Sequence, residues 1–197
     1  YAEDGMACLS VYQDGIHPGN IDDFVAGNAS IGEPPASIVF EETDDLVTKL
    51  DLRIVCKKAG VAYAMITDLG RWSLVDFYDW SKLPDLPLVL GWEDATTLEL
   101  LDTLRQDPDN MFHKRRAVMG IIGGADMLRG ELRNIVQGTN QRGGDAPPHT
   151  DPPQDGSTCM FGGVVAPRLV LEKVGGMAKS GRRLIDPLEG EVFSQFW

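Results

Sequence analysis

Asp145, His149, Asp151 and Asp155 lie within one short stretch, with Cys159 just beyond it. Carboxylate and imidazole donors can together hold a divalent cation, or a carboxylate can orient a histidine as a general base. The chemistry this implies is a metal-assisted hydrolase or transferase with His149 as ligand or base. The spacing argues against it. His-x-Asp followed by Pro152 and Pro153 matches no metal-ligand pattern, and Gly143, Gly144, Pro147, Pro148 and Gly156 make residues 138–158 read as a long solvated loop. Loops of this length in a compact domain are functional or lack fixed structure. No metal is assigned, and the four residues stand as candidates only. Cys159 as a nucleophile would need a base, and His17 and His113 are far away in sequence.

A second chemical candidate is Gly175-Gly176-Met177-Ala178-Lys179-Ser180-Gly181, which has the residue types of a phosphate-cradling loop in the wrong order. The working pattern places Gly directly before Lys and a helix after it. Ala178 and Gly181 break both conditions, so a basic turn is expected, with Lys179, Arg182 and Arg183 open to an acidic partner or an anion. There is no nucleophile elbow, Ser-His-Asp order, dinucleotide glycine pattern or paired-cysteine motif. Cys8, Cys56 and Cys159 are odd in number and widely spaced, as expected of free thiols in a reducing compartment. The Asn28-Ala29-Ser30 sequon is short enough to arise by chance. No catalytic residue and no cofactor is assigned.

Aromatic residues offer recognition chemistry instead. Trp72, Phe77, Tyr78 and Trp80, followed by Trp92, accompany Asp76 and Asp79. They read either as core or as a patch for an Arg- or Lys-bearing partner. Phe193, Phe196 and Trp197 are costly to leave in water, so they should dock on this chain or on a neighbour. Trp72, Trp80, Trp92, Phe193, Phe196 and Trp197 are therefore the partner-binding candidates. A small-molecule, pigment or lipid carrier is a further reading, its pocket between Trp72, Trp80, Trp92 and a notch at Gly123 and Gly124.

These groups must be positioned by the segments around them. Residues 109–137 are the longest run with one clear period: Val118, Ile121, Ile122, Ala125, Leu128, Leu132, Ile135 and Val136 share a helix face, opposite Lys114, Arg115, Arg129, Glu131 and Arg133. His113, Lys114, Arg115 and Arg116 read as its solvated side. Gly123 and Gly124 each cost about 1 kcal/mol there against alanine, which points to close packing or a break. A shorter helix over 94–105 has acidic residues in its first turn and Arg105 at its end. Asp107-Pro108 joins the two into an expected antiparallel pair.

Strands are expected at 38–40, at 46–56 by alternation, at 61–67, through the aromatic run 71–80, at 86–90, at 159–161 and at 168–173. A helix capped by Thr43 and ending at Gly60 competes for 46–56. Residues 1–35, rich in Gly and Pro, read as an extended N-terminal arm with Ile21, Phe24 and Val25 as docking contacts. Residues 36–174 form the domain and 175–197 a docking tail. The fold class is α+β: a small, mainly antiparallel sheet covered by an antiparallel helix pair, with arms at both ends.

At 197 residues, with 43% hydrophobic and 24% charged residues, the chain is globular and large enough for a core. No stretch approaches the ~20 apolar residues of a membrane span, so the expectation is a soluble protein with at most peripheral membrane contact. Its first residue, Tyr1, suits a processed chain, such as one in an organelle, or a fragment. The net charge of −12 is uneven. Residues 1–108 hold 20 acidic and 7 basic side chains, residues 109–197 hold 10 and 11. Nucleic acid is excluded as a partner by that balance. A protein with a basic surface facing residues 1–108 fits it, against the plainer alternative of a solubilising acidic surface. The function expected is a non-catalytic interaction or structural subunit of a larger protein assembly.

Overall fold

A computed structural model describes residues 11–69, 72–123, 156–186 and 190–197. The chain enters the body through β1 (Ile38–Glu41), α2 (Leu46–Ala59) and β2 (Ala62–Leu69), preceded by a short helix α1 (Ile21–Ala26). Helix α2 overturns the strand expected over 46–56. Leu50, Leu52 and Cys56 alternate, yet the buried set also includes Lys49 and Arg53, which is the three- and four-residue interval of a helix. The ends decide it. The Asp45 carboxylate accepts the Thr48 N–H at 2.7 Å, and Gly60, with φ 66°, takes the left-handed turn that closes the helix. The cap is thus Asp45 and not Thr43. Asp45→Ala is expected to cost about 1 kcal/mol, read as a lower urea midpoint at unchanged m-value.

A hairpin of 46–56 with 61–67 through the turn at 57–60 is also overturned, since the first of these segments is α2; β2 instead pairs antiparallel with β3 (Trp72–Asp79) across the expected turn at 68–70. Two further strands, β4 (Gly181–Asp186) and β5 (Gly190–Phe196), complete a mixed sheet in the order β1-β2-β3-β4-β5, in which β1/β2 is the parallel pairing. The docking tail expected over 175–197 is therefore largely sheet. Gly181 makes the closure feasible, since a Cβ there would sit 2.5 Å from the Gln195 carbonyl oxygen. Period-two alternation divides the core. Tyr63, Met65, Leu74 and Tyr78 join one cluster with α1 to α4, while Ala62, Ala64, Ile66, Val75 and Phe77 join another with Val165 and Leu169.

On the first face lie α2, α3 (Asp94–Gln106) and α4 (Met111–Ile121). Helix α3 is as expected, although it buries Thr97, Leu100, Leu101 and Leu104 and leaves Leu98 exposed. The strand expected over 86–90 is absent because side chains take its backbone groups. Trp80 Nε1 donates to the Leu86 carbonyl at 3.1 Å, Arg53 Nη1 to that of Leu88 at 2.8 Å, and Leu88 N–H donates to Asp94 Oδ1 at 2.7 Å. Helix α4 realises the first part of the run 109–137. It ends at Ile121, and Gly123 just beyond has a φ of 84° that suits glycine; Gly124 and residues 125–137 lie outside the described residues.

The second face is covered by α5 (Gly156–Val174). This corrects the strands expected over 159–161 and 168–173. Gly162, Gly163 and Pro167 read as breakers, and Pro167 cannot donate a hydrogen bond within the helix. Burying Val165 and Leu169 against Ala62, Ala64 and Val75 outweighs that loss. The sheet thus has helices on both faces, not a helix pair on one. At the N-terminal side, Ile21 and Val25 are buried and α1 lies on α2, so residues 11–35 are docked on the body and not free.

Candidate functional site

Among the described residues, buried charged side chains form three groups, besides Asp186 and the Asp51 carboxylate that Arg105 holds at 2.6 Å. In the first, Glu41, next to Thr43 at the end of β1, accepts from Lys49 Nζ at 2.8 and 2.7 Å, from the Tyr63 hydroxyl at 2.9 Å and from the Thr43 N–H at 2.6 Å. Strand and helix placement bring these together, since Lys49 lies one turn into α2 and Tyr63 is the neighbour of Val39 on β2. Burial pushes the Lys49 ammonium below its ordinary pKa although Glu41 opposes the shift, and burial pushes the Tyr63 phenol well up.

The second group is the deepest. Asp76 on β3 stands opposite Arg182 on β4 and receives its Nε and Nη2 at 2.6 Å each, while Arg53 Nη2 lies 3.6 Å from the same Oδ2 that Arg182 Nη2 binds. Arg182 also donates to the Ile121 carbonyl, which ties β4 to the end of α4. Arg53 is fully buried, 5.2 and 5.3 Å from the ring centroids of Tyr63 and Tyr78, and donates to the Tyr78 hydroxyl at 3.2 Å. Burial alone would lower both arginine pKa values; Tyr63, Tyr78 and Asp76 raise that of Arg53, and Asp76 raises that of Arg182. The Tyr78 phenol is pushed up to about 12 by burial, against the pull of Arg53.

The third group is on the opposite face. Asp79 accepts both contacts of Lys173 Nζ at 2.7 Å and the Ser81 hydroxyl at 2.5 Å, and its backbone N–H donates to Ser180 Oγ at 2.9 Å. Burial would raise the Asp79 pKa, but bonds from Lys173 and Ser81 and the charges of Lys173 and Lys82 bring it below its ordinary value. A depressed carboxyl contributes stability that is present above its unfolded pKa of about 3.9, and this is lost as pH falls through the folded value. Lys173→Met is accordingly expected to lower stability by about 1.5 kcal/mol at neutral pH, with the gap to the parent closing in strong acid. Urea titrations at the two pH values would read it.

These three groups hold acid and base types that chemistry would draw on, and in each the carboxylate is paired with a cation of the same group. Cys56 belongs with them: it is fully buried, and burial pushes its thiol up to about 12. Among the described residues, two grooves open at the surface. One, of about 420 Å³, lies between Lys82, Leu83, Ala178, Ser180, Phe196 and Trp197 and borders the Asp79 group through Lys82 and Ser180; the other, of about 280 Å³, lies between the start of α2 and the link from α3 to α4. The described residues include no group of three or more His, Cys, Asp or Glu arranged to hold a metal, and no helix among them is long and apolar enough to cross a membrane.

The aromatic candidates divide by burial. Trp80 is 1% exposed, stacked 4.9 Å from Tyr78, and Trp72 is partly buried against the same core. Trp92 is half-buried and rests on Gly120, where any Cβ would overlap its ring. A close approach is thus made at Gly120, one turn before Gly123. Phe193 and Trp197 pack on the core from β5, with Trp197 6.1 Å from Tyr78. Phe196 remains 47% exposed, with the Arg183 guanidinium 5.3 Å over its ring. The Lys179 turn leads directly into β4, and Arg182 faces inward to Asp76. Asp145, His149, Asp151 and Asp155 fall outside the described residues, and Cys159 lies within α5.

One surface feature was missed by sequence reasoning. Val164, Leu171 and Val174 form an outward apolar stripe along α5, 65%, 71% and 82% exposed. Their heptad-like spacing was legible once the segment was taken as a helix. The acidic excess read from the sequence lies at the surface: Asp14, Asp22, Asp23, Glu42, Asp44 and Asp45 are all exposed, and the chain contains no Lys or Arg before Lys49. Compared with protein-family models, with curated proteins and with solved structures, the chain has no significant match.

Proposed function

We propose that the chain is a non-catalytic interaction subunit that binds a protein with a basic surface through its acidic N-terminal half. The observation that carries this reading is the contrast between two sets of charges. The interior carboxylates of Glu41, Asp76 and Asp79 are each held by a cation of the same chain, while the exposed carboxylates from Asp14 to Asp45 have no Lys or Arg in their own segment to neutralise them. Such a surface raises the local concentration of cationic partners and speeds their approach. The docked N-terminal segment and the sheet-forming C-terminal strands move the expected contacts from free arms to the outer surface of the body. Phe196 and the α5 stripe add exposed apolar area of the kind that contacts protein.

Native mass spectrometry of the chain isolated from its source tests this. The expected result is a stoichiometric protein partner with a basic surface, released as salt rises from about 50 to 500 mM because exposed charges are screened over that range. A lone monomer that turns over a substrate would overturn the proposal.

A further inference from the structure

The smaller groove has the shape and charge to seat one long cationic side chain. Its walls are Leu46, Val47, Leu104 and Pro108, and Asp44, Asp45 and Asp109 stand among them with Lys114. Leu104 is 2% exposed and gives an apolar floor, while the Asp109 carboxylate is fully exposed. Asp45 is committed to the Thr48 N–H as the cap of α2, which leaves Asp44 and Asp109 as the carboxylates free to turn toward a ligand. The chain itself already places a cation here. Lys114 Nζ approaches Asp109 Oδ1, but only to 3.9 Å and with 41% of its side chain exposed, an incomplete pairing that a better-placed guanidinium or ammonium would improve upon.

Resting on the interaction reading above, we infer that this groove is the anchor point for a single arginine or lysine of a basic protein partner. The alkyl stem lies on Leu104 and Pro108, and the charged head sits between Asp44 and Asp109. Long basic side chains bury their methylenes on apolar surface while holding the charge at a polar rim, and the groove supplies both parts. Lys114 is then a competitor within the chain, displaced when the partner's cation arrives.

The test uses the full chain, labelled with nitrogen-15, and a capped Leu-Arg-Leu tripeptide, with the citrulline analogue as an uncharged control of the same shape. The arginine peptide is expected to shift amides of residues 44–47, 104 and 109–114, and the citrulline peptide to bind at least about fivefold more weakly. Asp44→Asn and Asp109→Asn should each weaken the arginine peptide by about two- to fivefold, and Lys114→Met should tighten it by a similar factor. Shifts spread equally over Asp22, Asp23 and Asp85, equal binding of the citrulline peptide, or displacement by spermidine at the same concentration would each overturn the inference. A stoichiometric basic partner whose affinity ignores the Asp44→Asn/Asp109→Asn double variant would overturn the groove and leave the interaction role standing. Peptide binding by a chain that has no protein partner at its source would overturn that role and with it the assignment of an anchor.

Discussion

Replacing Asp76 by asparagine is expected to cost about 3–5 kcal/mol, a large part of the ~5–15 kcal/mol that a domain of this size has in total. The reason is arithmetic of charge. One carboxylate lies between Arg182, held through two bonds at 2.6 Å, and Arg53, at 3.6 Å, and all three side chains are buried. Asparagine keeps the shape and leaves two guanidinium groups facing each other out of water. Arg182→Met should be milder, because Asp76 then still has Arg53 and the remaining charges balance. The order of the two variants is the informative result. Denaturant titration with Asp76→Asn no less stable than Arg182→Met would show that the carboxylate is not what holds the pair.

Gly120→Ala is the second large effect, and its sign runs against helix propensity. Alanine in an open helix position would stabilise by about 1 kcal/mol over glycine. At Gly120, inside α4, the added methyl would enter the Trp92 ring, so a net loss of about 2–3 kcal/mol is expected from overpacking. Because the cost comes from one contact, Trp92→Leu should relieve much of it in the double variant, and near-ultraviolet circular dichroism should report the displaced indole in the single one. Additive losses would mean that the two residues do not press on each other.

Legibility of the fold in the sequence followed how local each signal was. Helix α3 and the runs that form β2 and β3 were readable because periodicity, turn residues and end charges agreed within a few positions, whereas the pairing of those two strands with each other was not. Segment 46–56 misled because Leu50, Leu52, Ile54 and Cys56 satisfy a strand's alternation, while the deciding residues were Asp45 and Gly60 at the ends. Helix α5 was obscured by Gly162, Gly163 and Pro167, whose local preference is outweighed by packing on a distant alanine-rich sheet face. The buried groups were invisible for the same reason. Asp76 and Arg182 are 106 residues apart, and nothing near either announces the other. Of the candidate surface, the acidic excess was readable from composition, whereas the apolar floor supplied by Leu104 required α2 and α3 to be laid side by side.

The wide separation between β3 and β4 also governs how the protein is made. A chain growing from the ribosome completes β1, α2, β2 and β3 long before residues 181–186 exist, so for most of synthesis β3 is a border strand with bare amide and carbonyl groups and a lone Asp76 beside Arg53. Such a border recruits other strands, its own neighbours on a polysome included. Contacts this distant along the chain are also slow to close. The nascent protein therefore has a defined interval of vulnerability, and chaperone occupancy during translation should fall only after β4 has emerged.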